Sequence, residues 1–218
     1  MNRIHSLAVC SLAFALLFTA GCGGGTSTAT DEQVSAASQA GGQAPAADTL
    51  HPRYRLVTNQ GVITIELDAE HAPISVSNFL EYADAGHYEG TVFHQVESGF
   101  IAAAGGFTEQ LGEKAVSKRP IRNEADNGLK NVRGTIACAR APDVIDSTTS
   151  QFFFNLADNG QLDHSGREPA EYGYCVFGKV VDGQEVLDKI GALPSQPQGD
   201  LANVPKQAVV IERVSRLK

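Results

Sequence analysis

The sequence predicts a mainly β fold, a closed antiparallel barrel with two helices, on three observations. Short runs of β-branched and aromatic residues recur along the body of the chain. Gly-rich connections separate them, and the 218 residues include 22 glycines. Only two stretches carry apolar residues at helical spacing.

The first two strands fall at 54–58 and 62–67, joined by Asn59-Gln60-Gly61. In the second run Ile63, Ile65 and Leu67 alternate with Val62, Thr64 and Glu66, which is the pattern of a hairpin with one buried face. Pro73 then stands where a helix starts. Val76, Phe79, Leu80 and Ala83 follow at helical spacing, and Gly86 stops the run. Further strands are expected at 91–96, 135–139, 152–156, 175–181 and 209–214. A second helix is expected after Asp182, where Asp182 and Glu185 form a capping-box pattern ahead of Val186, Leu187 and Ile190. No internal repeat is present.

Ahead of this body the composition changes twice. Met1-Asn2-Arg3-Ile4-His5 is a short positive start, and an uncharged apolar run covers 7–18. A membrane-spanning helix needs about 20 apolar residues, so the run suits the core of a signal peptide. Thr19-Ala20-Gly21-Cys22 resembles the lipobox of bacterial lipoproteins, in which the cysteine is lipidated and becomes the new N-terminus. That resemblance makes 1–21 a signal with lipobox and Cys22 the anchor; the alternative is an ordinary secretory signal cut near Ala20. Gly23 is not the aspartate associated with inner-membrane retention, so the periplasmic side of the outer membrane is the expected location. Residues 22–52, dominated by Gly, Ser, Thr, Ala and Gln, cannot bury enough apolar surface to fold. They read as a tether with a reach of roughly 30 Å, followed by one domain over 53–218.

The formal net charge is −8, which argues against nucleic acid as a partner. Cys10 leaves with the signal. Cys138 and Cys175 sit in apolar runs, as buried thiols or as a disulfide that an exported compartment permits. The six histidines show no ligand spacing, so no metal is expected. Asp163-His164 with Ser165 or Ser150 lacks the glycine pattern of a nucleophile elbow, which argues against a hydrolase.

Several motifs occur in one order: Ala72-Pro73-Ile74-Ser75-Val76-Ser77-Asn78-Phe79, Phe93-His94, Gly99-Phe100, Gly105-Gly106-Phe107-Thr108-Glu109-Gln110 and Asn123-Glu124-Ala125-Asp126-Asn127-Gly128-Leu129. Arg133-Gly134-Thr135-Ile136-Ala137, Thr149-Ser150-Gln151-Phe152-Phe153 and Val176-Phe177-Gly178-Lys179-Val180 continue it. Together they resemble the cyclophilins, from about Arg53 to the C-terminus. The resemblance implies an eight-stranded closed barrel capped by two helices. It also implies a peptidyl-prolyl cis-trans isomerase that acts on proline-containing polypeptides, needs no cofactor and works as a monomer. With the signal, it implies assistance to the folding of exported proteins.

The same resemblance assigns the site. Phe100, Ile101, Phe153 and Leu162 line a proline pocket, with Ile101 in place of the usual Met. Gln151 binds substrate backbone. Ala139, Arg140 and Ala141 form the backbone-binding edge, and Tyr174 stands where relatives carry His or Tyr. Gln161 replaces a Trp that favours cyclosporin, so weak affinity for that drug is expected. His94 is structural in the family. Two departures matter more. The family Arg after Phe-His is Gln95 here, and the Gln that supports that arginine is Ala103, beside Ala104 in place of Gly. Catalysis is therefore expected to be reduced, and a proline-peptide binding module is the alternative. The segment 164–172 is longer than in compact relatives.

Overall fold

A computed structural model describes residues 49–218. The expected signal, Cys22 and nearly all of the tether lie outside the described residues. The described chain enters along the end of the second strand, where Ala69 N–H donates to the Leu50 carbonyl at 2.8 Å and Leu67 N–H to that of Pro52 at 3.0 Å.

The alternation read from the sequence builds the first hairpin. β1 (Arg53–Thr58) pairs antiparallel with β2 (Gly61–Leu67) in register from Arg53↔Glu66 to Thr58↔Gly61. Ile63, Ile65 and Leu67 are fully buried, while Val62 on the other face is exposed. Helix α1 spans Pro73–Asp84 and buries Val76, Phe79 and Ala83. Phe79 is the hub of the core, with its ring 5.0 Å from Tyr88, 5.7 Å from Phe152 and 5.7 Å from Phe177.

The remaining strands are β3 (Thr91–Val92), β4 (Gln95–Val96), β5 (Ile101–Ala104), β6 (Thr135–Cys138), β7 (Phe152–Asn155), β8 (Val176–Asp182), β9 (Ser195–Gln198), β10 (Leu201–Pro205) and β11 (Val210–Arg216). Helix α2 covers Gln184–Gly191. Nine strands form one antiparallel sheet in the order β3-β11-β1-β2-β8-β6-β7-β5-β4, and β9 pairs with β10 alone.

Three expectations are corrected here. The sheet curls into a half-barrel of nine strands, not a closed barrel of eight. The expected strand 91–96 is two short edge strands, because the chain changes partner between them. Phe93 N–H donates to the Val209 carbonyl at 2.9 Å and His94 N–H to that of Ala103 at 3.0 Å. Thr91, Val92, Phe93 and His94 are all buried, which the alternating faces of a half-exposed strand do not produce. The residue pattern marks neither β5, since Ile101–Ala104 is mostly alanine, nor the β9–β10 hairpin. The capping box at Asp182 is also absent. Gly183 is the N-cap, at φ 85°, with no side-chain cap bond. A left-handed residue there suits glycine, and it moves the helix start past the aspartate.

Cys138 and Cys175 are free and buried. Cys138 ends β6 and Cys175 directly precedes β8, with Cys138 N–H donating to the Cys175 carbonyl at 2.9 Å.

Candidate functional site

Strand register brings the key positions into one row. Gln95 pairs with Ala103, Ala103 with Phe153, Phe153 with Ala137, and Ala137 with Val176. Directly paired residues share a face, so this row lies on one surface of β4, β5, β7, β6 and β8. Ala103, Ala137, Phe153 and Val176 form a small apolar cluster separate from the main core. Ile101, Leu129, Ala139, Leu162 and Tyr174 pack against it half-buried. The structure thus gathers three of the four expected pocket residues, Ile101, Phe153 and Leu162, with Ala139 of the expected backbone edge and Tyr174. Phe100 is half-buried in the turn just before Ile101.

The walls of this surface are held by backbone ties. Leu162 ends a 3-10 turn over Gly160–Leu162. Its carbonyl accepts from Tyr174 N–H at 2.9 Å and from Asn131 Nδ2 at 3.1 Å. The Phe100 carbonyl accepts from Leu156 N–H at 2.8 Å and Asn159 Nδ2 at 2.9 Å. Asn159 Nδ2 also donates to Asn155 Oδ1, and Asn155 Nδ2 to Asn131 Oδ1. This buried asparagine chain fixes Phe100 relative to Leu162, and sequence reasoning missed it. Asn131 lies 24 residues from Asn155, so no local pattern joins it to the other two.

Gln151 precedes β7 and lies over Gly106. A Cβ built on Gly106 would sit 2.5 Å from the Gln151 Cγ and Cδ, so the glycine leaves room for that side chain. The Gln151 carbonyl accepts from Ala139 N–H at 3.0 Å. The Ala139 carbonyl accepts from Thr148 Oγ1 at 3.0 Å, and Ala141 N–H donates to Ser147 Oγ at 2.8 Å. These bonds leave the main chain of Arg140 as the unengaged part of that edge. A cavity of 360 Å³ adjoins it, lined by Ala139, Arg140, Ala141, Ser147, Thr149 and Gln151.

The Arg140 side chain is committed elsewhere. It donates to the carbonyls of Gly173, Ala141, Pro142 and Pro169 at 2.6–3.0 Å. Its guanidinium lies 4.8 Å from the centre of the Tyr174 ring, which meets Phe153 edge-on at 5.7 Å. Arg140 therefore clamps the long 163–173 segment onto the site and holds Tyr174 against Phe153.

At the other end of the row, Gln95 Nε2 donates to Glu97 Oε1 at 2.7 Å. Glu97 also escaped the sequence reading, although its place two residues beyond Gln95 was the available signal. Ala103, opposite Gln95, carries no polar atom to orient it. His94 points away into the protein, its ring tilted against that of Phe107 at 4.6 Å. Burial lowers its pKa to about 4, against a hydrogen bond with the Val92 backbone that acts to raise it. A neutral buried imidazole suits a structural role.

Among the described residues, no group of three or more His, Cys, Asp or Glu could hold a metal ion. A larger cavity, of 560 Å³, extends from Leu129 and Val176 to Glu66, Asp68, Lys130 and Lys179. Its charges are paired with neighbours, as Lys179 is with Glu66 at 3.3 Å and Lys130 with Asp163 at 3.6 Å. The arrangement able to act on a peptide is therefore the row. It offers an apolar seat, an exposed backbone edge, one amide on each side and no nucleophile.

Comparison with known proteins identifies a matching family. Residues 53–216 match the family model described as cyclophilin type peptidyl-prolyl cis-trans isomerase. The chain is 46% identical over 172 residues to peptidyl-prolyl cis-trans isomerase A of Dickeya dadantii, covering 79% of this chain and 88% of the relative. It is 48% identical over 160 residues to isomerase B of Escherichia coli, covering 72% and 95%. A crystal structure of a Cryptosporidium parvum cyclophilin-type isomerase in the presence of the dipeptide Ala-Pro superposes with a TM-score of 0.64. That structure shares 28% identity, with 76% of this chain and 99% of that one covered.

Proposed function

Since the chain belongs to the cyclophilin-type peptidyl-prolyl cis-trans isomerase family, we propose that it isomerises X-Pro bonds in exported polypeptides, more slowly than an arginine-bearing relative. Cys22 is proposed as its lipid anchor in the cell envelope, with the domain on the periplasmic side of the outer membrane. The lipobox-like Thr19-Ala20-Gly21-Cys22 and the polar tether support that placement.

The reaction needs no covalent step. Rotation about a peptide bond faces a barrier of about 18–20 kcal/mol, and for X-Pro bonds it takes tens to hundreds of seconds unaided. A catalyst must hold the twisted amide more tightly than either planar form. On this surface Phe153, Ile101 and Leu162 would seat the prolyl ring. Gln151 and the Arg140 main chain would hold the flanking backbone. Gln95 would donate to the prolyl nitrogen as conjugation is lost and its lone pair becomes basic.

The observation that carries the reading is the paired row Gln95–Ala103–Phe153, which sets a donor beside an apolar seat. The same row explains slow turnover. A neutral hydrogen bond contributes roughly 0.5–1.5 kcal/mol and a charged one about 1.5–3, so replacing Arg by Gln removes about 1 kcal/mol or more at the transition state. A protease-coupled assay on a proline tetrapeptide tests it. The expected result is a rate above buffer but below that of the Escherichia coli relative. A folded sample with no rate enhancement would overturn it.

A second reading, a proline-peptide binder without turnover, is favoured by one observation. Gln95 already spends one N–H on Glu97. Saturable binding in a titration, with no rate enhancement, selects that reading.

A further inference from the structure

Resting on the isomerase reading, we propose that Glu97 is a specificity-determining residue, which favours segments carrying lysine or arginine next to the proline. Glu97 directly follows β4, and its N–H donates to the Ile101 carbonyl at 2.9 Å, so the pairing with β5 continues through it. Positions two apart on an extended chain share a face. Glu97 therefore lies on the Gln95 face, and its Oε1 is the acceptor 2.7 Å from Gln95 Nε2. Phe100 N–H closes the turn onto the Glu97 carbonyl at 3.0 Å, so the carboxylate stands at the foot of the Phe100-Ile101 wall.

The charge at this point has no internal counterpart. An arginine at position 95 would neutralise the carboxylate; the Gln95 amide hydrogen-bonds it and leaves its charge. Among the described residues no Lys, Arg or His forms an ion pair with Glu97. The cation of the site, Arg140, stands at the other end of the row and has its donors on four backbone carbonyls. Glu97 is half-buried, and its second oxygen is the remaining acceptor. A peptide seated on Phe153 would run past it on the β4 side. A cation flanking the proline would complete the pair, and an anion would meet a like charge.

The test compares three unlabelled peptides, Ala-Ala-Pro-Lys, Ala-Ala-Pro-Leu and Ala-Ala-Pro-Glu, by NMR exchange, which needs no coupling protease. The full chain is used, alongside Glu97→Gln. A partly exposed ion pair contributes about 0.2–1 kcal/mol, so the lysine peptide should exceed the glutamate peptide in kcat/KM by roughly two- to fivefold. Salt should compress the ratio, and Glu97→Gln should bring it near unity. Equal rates for the three peptides in the wild type, or an unchanged ratio in Glu97→Gln, would overturn the proposal. If no peptide is turned over, the isomerase reading fails separately. Chemical-shift titration of the same peptides then decides, since a lysine preference in Kd that Glu97→Gln removes supports the role of Glu97 and equal affinities overturn it.

Discussion

The Gln95 amide has two N–H hydrogens, and the Glu97 carboxylate takes one of them. The other is the only donor left for a prolyl nitrogen, and Ala103 opposite gives it no orienting partner. Restoring both family groups should therefore act in concert. Gln95→Arg with Ala103→Gln is expected to raise kcat/KM about five- to tenfold, from the difference between charged and neutral hydrogen bonds. Exchange spectroscopy on one proline peptide checks it, and an unchanged or lower rate would remove Gln95 from the catalytic position. Gln151 allows a second prediction at this scale. Its side chain fills the space beside Gly106, so Gly106→Ala should swing it off the substrate edge. One lost neutral hydrogen bond corresponds to a fall of roughly two- to tenfold in kcat/KM. The thermal midpoint should change little, because Gln151 is not part of either core cluster.

Elements are joined by polar groups as much as by apolar ones. Helix α1 starts at Pro73 with no side-chain cap of its own. The Glu124 carboxylate supplies one from a distant loop, accepting from Ile74 N–H at 3.1 Å, Ser75 N–H at 2.8 Å and Ser75 Oγ at 2.8 Å. It serves both as a hydrogen-bond acceptor for free helix-end donors and as a negative charge at the positive end of the helix dipole. Glu124→Ala should cost about 1–3 kcal/mol, since it leaves buried donors unpaired. A urea unfolding midpoint measures this, and a loss well under 0.5 kcal/mol would show that water replaces the carboxylate. The case also marks what the sequence can reveal. Ile63, Ile65 and Leu67 announce their buried face locally, through a period of two. Pro73 also announces a helix start locally, because its fixed φ and missing N–H suit the first helical position. Glu124 stands 49 residues from Ser75, and only the folded chain joins them. The site divides likewise. Phe153, Ile101 and Leu162, which the family resemblance assigned to one pocket, do pack together. The clamp by Arg140 and the tie from Glu97 to Gln95 were not legible, because each depends on a side-chain direction. Ile101–Ala104 was not legible as a strand, because alanine has little β preference; its pairing partners β4 and β7 impose the extended form.

At the scale of the molecule, the two edge strands of the half-barrel, β3 and β4, are joined in the chain through Phe93-His94. His94 is buried in that link, and its Nδ1 has no hydrogen-bond partner. Burial lowers its pKa from 6.5 to about 4 in the folded chain. The unfolded chain binds a proton on this residue near the ordinary value, and the folded chain does so only near the lower one. Between those values the unfolded state holds more protons, so stability rises with pH across the window. The contribution is complete above about pH 6.5 and is lost progressively towards pH 4, where the loss reaches about 3 kcal/mol. Glu66 adds to acid sensitivity lower down, because hydrogen bonding from Arg53 lowers its pKa. The two effects separate in a variant. His94→Gln should be less stable than wild type at neutral pH, yet its urea midpoint should change less between about pH 7 and 4.5. Lower still, where Glu66 takes up protons, wild type and variant should fall in parallel. Parallel curves across the whole range would show that His94 titrates normally and that the link between β3 and β4 admits water.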